Sequence, residues 1–140
     1  MQLEVRALLF DVQEACCLLG TFTAGKTFSD YCSDSLLRSA VERQFEIIGE
    51  ALNKAVKLDK GLVSQISECK KIIAFRNFLI HAYALVSDDS VWNIIETRLS
   101  ILQDEVAKLL ANQPRAKAAR KKKPPTRRKP RRKKGTQRDG

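Results

Sequence analysis

The chain has 140 residues, enough for one small domain, and its charge is divided unequally along its length. Residues 114–140 hold 14 of the 26 Lys and Arg and a single acid, Asp139, which gives this segment a net charge of +13. Residues 1–113 hold 12 basic and 15 acidic residues, a net charge of −3. The overall charge of +10 therefore belongs to the C-terminal segment, and it bears on binding partners rather than on the fold.

Several classes of protein are disfavoured by what the sequence lacks. No apolar run approaches the roughly 18 residues that a membrane-spanning helix needs. Glu4, Arg6 and Asp11 interrupt the N-terminal segment, which does not resemble a signal peptide. The four cysteines form no C-x-x-C pair, and a single histidine cannot complete a zinc site of usual spacing. We expect a soluble cytoplasmic protein with reduced, mostly buried thiols and with no metal or cofactor.

The first half of the chain predicts two helices separated by a loop. Residues 2–20 carry apolar side chains at helical spacing, and the loop over residues 21–28 contains Gly25. The apolar positions of this first helix are Leu3, Ala7, Phe10, Ala15, Leu18 and Leu19. Residues 29–57 predict the longest helix, because one apolar stripe continues along the whole segment. That stripe consists of Leu37, Val41, Phe45, Ile48, Leu52 and Ala55.

The second half predicts two more helices. After a turn at Gly61, residues 62–85 keep the three-to-four spacing of apolar side chains. Ser87, followed by two aspartates, is a typical N-cap and predicts the start of a last helix that ends near Ala111. No segment shows the alternation of a strand, and no repeat is present. The sequence therefore predicts an all-α fold, an antiparallel bundle of four or five helices over residues 1–113.

The basic segment, residues 114–140, contains all four prolines and few apolar residues other than alanine. Such a composition cannot form a core, so this segment is predicted to be disordered. Its basic runs at residues 121–123 and 131–134 suit contact with phosphates without reading of bases. It contains no aromatic residue on which a base could stack. The segment is interpreted either as an electrostatic aid to RNA binding or as a nonspecific solubilising appendage.

A cluster of polar side chains interrupts the apolar pattern of the third predicted helix. It consists of Arg76, Asn77, His81 and Tyr83. On a continuous helix, Asn77 and His81 would lie about 40° apart and Arg76 and Tyr83 about 20° apart. All four would then occupy about 160° of the helix circumference. This face would bring together a cation, an amide, an imidazole and a phenol.

These groups are sufficient for RNA cleavage without a metal ion. The imidazole of His81 can take the proton of a ribose 2′-OH at neutral pH. The guanidinium of Arg76 can hold two phosphate oxygens and stabilise the charge that develops during transfer. Asn77 could orient the imidazole or donate to the phosphate. Because the 2′-OH is an internal nucleophile, the expected products are a 2′,3′-cyclic phosphate and a 5′-hydroxyl end.

The same residues also allow a structural interpretation. His81 and Tyr83 could simply pack in the bundle, and Arg76 could pair with Glu46 or Glu50 of the preceding helix. Dimerisation follows from the catalytic interpretation, because cleavage benefits from both a base and an acid and each chain has one histidine. A two-fold dimer would place two copies of the polar face around one cleft. Water or the phenol could serve as the acid instead.

Three blocks of the sequence resemble the HEPN superfamily, and within it the HepT-like toxins. Arg76-Asn77, followed after three residues by His81-x-Tyr83, matches the Arg-x4-His-x-Tyr signature. Residues 39–51, SAVERQFEIIGEA, are similar to the second-helix block of the family, and residues 91–95, VWNII, to its last helix. The resemblance covers roughly residues 1–110. A tryptophan that is common shortly before the signature is absent, and Ser100 stands where a proline is frequent.

The resemblance implies a homodimeric helical ribonuclease that acts on RNA. It implies further that the chain is the toxin of a type VII toxin–antitoxin system, whose antitoxin is a minimal nucleotidyltransferase. On this basis Arg76 and His81 are the catalytic pair, and Tyr83 is the residue that the antitoxin modifies with AMP. The competing hypothesis is a HEPN-like module that binds a nucleotide or a protein without catalysis, with nucleic-acid binding through the basic segment.

Overall fold

The structure is a computed structural model that describes residues 1–112, except for the side chain of Tyr83. Residues 1–110 form one compact unit. The described residues form seven α-helices, one short 3₁₀ helix and no strand. The helices are α1 (Leu3–Thr23), α2 (Phe28–Ser33), α3 (Ser35–Leu58), α4 (Leu62–Gln65), α5 (Cys69–His81), α6 (Asp88–Thr97) and α7 (Leu99–Ala111), and the 3₁₀ helix is Tyr83–Leu85. The all-α prediction is confirmed, whereas the basic segment lies outside the described residues.

Helix α3 forms the centre of the fold, and α1 and α5 pack against it. It begins after Asp34, whose side chain accepts hydrogen bonds from the backbone N–H groups of Leu36 and Leu37 at 3.1 Å each. All six positions of the predicted apolar stripe are buried. Burial of this stripe is the main hydrophobic contribution of α3 to stability, and it fixes the face that α3 turns towards its neighbours.

The predicted helices are more finely divided in the structure than the sequence indicated. The segment 29–57 is split at Asp34, and the last predicted helix is split at Arg98. The segment 62–85 is broken at residues 66–68, and its α-helix ends at His81. The described residues thus form seven α-helices where four or five were predicted. None of these breaks contains glycine or proline, so the apolar spacing gave no sign of an interruption.

Polar contacts tie together the breaks that precede α5 and α7. Glu68 has a left-handed backbone with φ of 58°, which few residues other than glycine adopt. Its carboxylate accepts a hydrogen bond of 3.0 Å from Nη2 of Arg98, the residue between α6 and α7. The backbone N–H and Oγ of Ser67 donate to the carboxylate of Glu105 in α7, at 2.9 and 2.6 Å. These contacts fix the start of α5, which carries the polar cluster.

Helix α1 is longer than predicted, and its buried stripe matches the prediction only in part. Leu3 and Phe10, two of the predicted core positions, are 83% and 48% exposed, and Ala7 is exposed as well. Two predicted positions, Ala15 and Leu19, are buried, together with four residues that were not predicted, Val5, Leu9, Val12 and Cys16. Gly20 lies within the helix rather than at its end. Two apolar stripes run along this helix, and the sequence alone did not show which of them faces α3.

Residues 1–112 show the state of the cysteines and allow a search for membrane-spanning helices and for metal sites. All four thiols are free; Cys16 and Cys69 are buried, whereas Cys17 and Cys32 are exposed, so the prediction of mostly buried thiols is wrong. No helix in this part of the chain is both long enough and apolar enough to cross a membrane. The same residues contain no group of three or more His, Cys, Asp or Glu side chains placed to hold a metal ion.

Candidate active site

Arg76 lies in α5, where this helix packs directly against Gly49 of α3. A Cβ atom built on Gly49 of α3 would overlap the Cβ of Arg76 and would lie 2.7 Å from its Cγ. Only a residue without a side chain permits this approach. Phe75, the neighbour of Arg76, packs edge to face on Phe45 of α3, with ring centroids 5.6 Å apart. Gly49 and this aromatic pair therefore set the position of the Arg76 backbone.

The guanidinium of Arg76 has two partners among the described residues. Its Nη1 donates a hydrogen bond of 2.8 Å to Oδ1 of Asn77. Its Nη2 lies 3.8 Å from Oε1 of Glu50, and the arginine side chain is 22% exposed. Its Nε is buried and has no hydrogen-bond partner there. Of the two carboxylates proposed as alternatives, Glu50 is the partner, whereas Glu46 pairs with Arg43 at 3.4 Å.

Asn77 and His81 are both exposed on α5. Because Oδ1 of Asn77 accepts from Arg76, its amide nitrogen is left free to donate to a ligand. His81 is the last residue of α5, and its side chain makes no hydrogen bond or ion pair with any other described residue. An exposed imidazole at a helix end is available to a substrate, and the packing interpretation does not apply to it.

The structure does not bring Arg76 and His81 into contact within one chain. Five residues on a helix correspond to a rotation of about 140° and a rise of about 7.5 Å. Arg76 is directed towards α3, where Gly49 and Glu50 lie, whereas His81 is exposed at the end of α5. The two groups therefore share a helix but not a narrow face of it.

Tyr83 lies beyond the end of α5, and its side chain is outside the described part of the structure. The α-helix ends at His81, where Ala82 leaves the helical conformation with φ of −138° and ψ of 34°. Tyr83 then begins the 3₁₀ helix. The predicted angle of about 20° between Arg76 and Tyr83 assumed a continuous α-helix, so that part of the geometric argument is wrong.

Comparison with known proteins identifies the family. A family model described as "Ribonuclease HepT-like" matches residues 12–109, which include α3, α5 and the whole polar cluster. The chain belongs to this family. It is 33% identical over 101 residues to "Probable ribonuclease HepT" of Thermococcus cleftensis, covering 72% of this chain and 91% of that protein. A "Putative RNase" of Caldanaerobacter subterraneus is 30% identical over 108 residues, covering 77% of this chain and 96% of the relative.

A further "Putative RNase", from Methanocaldococcus jannaschii, is 28% identical over 103 residues, which are 74% of this chain and 94% of the relative. The comparison with solved structures gives no significant match. The likeness covers 91–96% of the length of these three relatives. The family match ends at residue 109, before the basic segment begins.

A cleft of about 310 Å³ opens among α3, α5, α6 and α7 of this HepT-like domain. Its walls are largely apolar and include Phe45, Ile72 and Phe75, with Arg98 and Lys71 at its edge. Arg76, Asn77 and His81 are not among its lining residues. The polar cluster is therefore separate from this cleft.

Glycine at position 49 is a site residue that the sequence analysis missed. It lies in the middle of a 24-residue helix, where glycine is unfavourable by about 0.5–1 kcal/mol relative to alanine. A residue retained at such a cost usually has a packing reason. That signal was present in the sequence, but the position opposite Gly49 could be recognised as Arg76 only from the structure.

Proposed function

We propose that this HepT-like ribonuclease is a metal-independent endoribonuclease in which Arg76 and His81 carry the chemistry and Asn77 supports Arg76. The observation that carries the proposal is the position, exposure and hydrogen bonding of these three side chains. The guanidinium is held where α3 and α5 meet and keeps N–H groups that bond to no residue in the range 1–112. The imidazole of His81, on the same helix, is exposed and has no side-chain partner in that range. A cation of fixed position and a free base are the groups that transesterification of RNA requires.

The proposed reaction is an attack of the ribose on its own phosphate. His81 takes the proton of the 2′-OH, and the 2′-oxygen forms a bond to phosphorus while the bond from phosphorus to the 5′-oxygen breaks. Arg76 donates to the non-bridging phosphate oxygens and stabilises their growing charge. A proton is delivered to the departing 5′-oxygen. The products are a 2′,3′-cyclic phosphate and a 5′-hydroxyl.

The separation of Arg76 and His81 within one chain supports a homodimer as the active form. About 140° of helix rotation lies between the two residues, so one phosphate is not easily reached by both from a single copy. A two-fold axis near the end of α5 would bring His81 of one protomer towards the arginine side of its partner. It would also supply a second imidazole as the acid for the leaving group.

Cleavage without a metal is the first expected result. The purified, unmodified full-length chain should cut RNA in the presence of EDTA and leave 2′,3′-cyclic phosphate ends, detectable by end-group analysis. The matched control is the same RNA with 2′-O-methyl groups, which should remain intact because the internal nucleophile is blocked. Strict dependence on a divalent ion would contradict the mechanism. Binding without cleavage would favour a non-catalytic module that holds nucleic acid through its basic segment.

We further propose that the chain is the toxin of a toxin–antitoxin pair, and that a minimal nucleotidyltransferase silences it by adding AMP to Tyr83. The proposal is supported by the HepT-like match and by the place of Tyr83 in the chain, two residues after His81. An attached AMP would bring a negative phosphodiester and a bulky nucleoside next to the proposed base. Steric blockage and the added negative charge would then exclude an RNA phosphate from the site without a change of fold.

Mass spectrometry after co-expression with a cognate minimal nucleotidyltransferase tests this regulation. The chain should gain the mass of one AMP or a small multiple, mapped to the peptide that contains Tyr83. Tyr83→Phe should escape modification and still cleave RNA. Tyr31→Phe is the matched control, since Tyr31 is the other tyrosine and is fully buried, and this variant should still be modified. Suppressed activity without a mass change would mean that the antitoxin acts by binding alone.

A further inference from the structure

Glu50 is the only carboxylate that lies within ion-pair distance of Arg76 among residues 1–112. It follows Gly49, the residue of α3 that packs directly against Arg76. Its Oε1 is 3.8 Å from Nη2 of Arg76, and its Oε2 is 3.3 Å from Nζ of Lys54. The close approach at Gly49 thus places a negative charge directly beside the proposed catalytic cation.

The distance of 3.8 Å determines what this charge can do. A carboxylate at hydrogen-bond distance would occupy the N–H groups of Arg76 and compete with an RNA phosphate. At 3.8 Å it attracts the guanidinium but leaves the N–H groups of Nη2 available. On the other side, Asn77 holds Nη1 at 2.8 Å. The planar group is therefore restrained at both ends, while part of its donor set remains free.

The ion pair itself contributes little to folding. The side chain of Glu50 is 49% exposed and is shared between Arg76 and Lys54. Ion pairs in contact with solvent are weak because water and salt screen them. Removal of this charge should consequently change the orientation of Arg76 much more than the stability of the protein.

We propose that Glu50 is a positioning residue for RNA cleavage, which orients the Arg76 guanidinium so that its free N–H groups face the scissile phosphate. The role rests on the proposed ribonuclease function, since Glu50 touches neither the substrate nor the base. It acts on the transition state only through Arg76. A displacement of a catalytic group by about 1 Å can lower a rate by about 100-fold. A fixed orientation of the Arg76 guanidinium should therefore strongly increase the rate of RNA cleavage.

The kinetic test compares Glu50→Gln with Glu46→Gln in the full-length chain. Both variants remove one negative charge from α3, but Glu46 lies one turn earlier and pairs with Arg43 rather than with Arg76. We expect Glu50→Gln to lower kcat about 10- to 100-fold with little change in KM, and Glu46→Gln to behave as the wild type. In an Arg76→Ala background, Glu50→Gln should cause no further loss. A wild-type kcat for Glu50→Gln, or a further loss without Arg76, would overturn the positioning role.

A measurement that does not depend on activity separates this role from the proposed function. In ¹⁵N-arginine NMR spectra, the Nη–H groups of Arg76 should show restricted rotation in the wild type and in Glu46→Gln, and averaging in Glu50→Gln. If the wild type does not cleave RNA but the Arg76 signals change in this way, the proposed function fails and the positioning of Arg76 stands. If the Arg76 signals are the same in all three proteins, Glu50 does not position this residue, whatever the activity.

Discussion

Replacing His81 with alanine is expected to lower the rate of RNA cleavage about 10²- to 10⁴-fold, the usual contribution of a general base. The fold should be unaffected, because His81 is exposed at the end of its helix and its side chain bonds to no other described residue. The measurement is kcat for metal-free cleavage, together with the thermal unfolding midpoint. Lys70→Ala is a matched control, since Lys70 is also exposed on α5 but lies at its other end. A loss of less than about tenfold would remove His81 from the chemistry.

Arg76 requires a second substitution besides alanine, because its side chain is partly buried against α3. Arg76→Ala should abolish most of the activity, but it also removes a packed side chain. Arg76→Lys keeps the charge and much of the stem, and loses the planar group that donates to two phosphate oxygens. Both variants should be nearly inactive if catalysis requires the planar guanidinium, which can donate to two phosphate oxygens at once. Mixed dimers of Arg76→Ala and His81→Ala protomers should regain activity if base and cation come from different copies.

Some elements of the fold could be predicted because a local physical signal determined them. The stripe of α3 recurs at helical spacing from Leu37 to Ala55, and every predicted position on it is buried. Ser87 was recognised as an N-cap from its hydroxyl and the acids that follow. In the structure its Oγ accepts a hydrogen bond of 3.2 Å from the backbone N–H of Ser90. Each of these features depends on residues within a few positions of one another.

Other features depend on contacts between distant residues and could not be read from spacing. The breaks at Glu68 and Arg98 are joined by a hydrogen bond across 30 positions of sequence. The choice between two apolar stripes on α1 was decided by how that helix packs on α3. At the site, the residue types were predicted, but the end of α5 at His81 was not. Because the predicted polar face assumed a continuous helix through Tyr83, that single face is not formed.

Gly49→Ala is the substitution expected to disturb both fold and site. The added Cβ would overlap the Cβ of Arg76 and would also lie 3.4 Å from its Cα. Neither atom is the end of a flexible side chain, so α3 and α5 must move apart. Overpacking of this kind costs about 1–3 kcal/mol, which exceeds the gain of about 0.5–1 kcal/mol from alanine in a helix. The free energy of unfolding, measured by denaturant titration, should therefore decrease.

Gly20→Ala provides the matched control, because Gly20 also lies within a helix, but a Cβ there would meet nothing within 4 Å. This variant should gain about 0.5–1 kcal/mol of stability and retain its activity. For Gly49→Ala, movement of the helix backbone should displace Arg76 and lower kcat by about 100-fold even below the unfolding transition. If the variant is destabilised but cleaves RNA at the wild-type rate, the close approach serves packing alone. If it is as stable as the wild type, the contact between the two helices is looser than the structure shows.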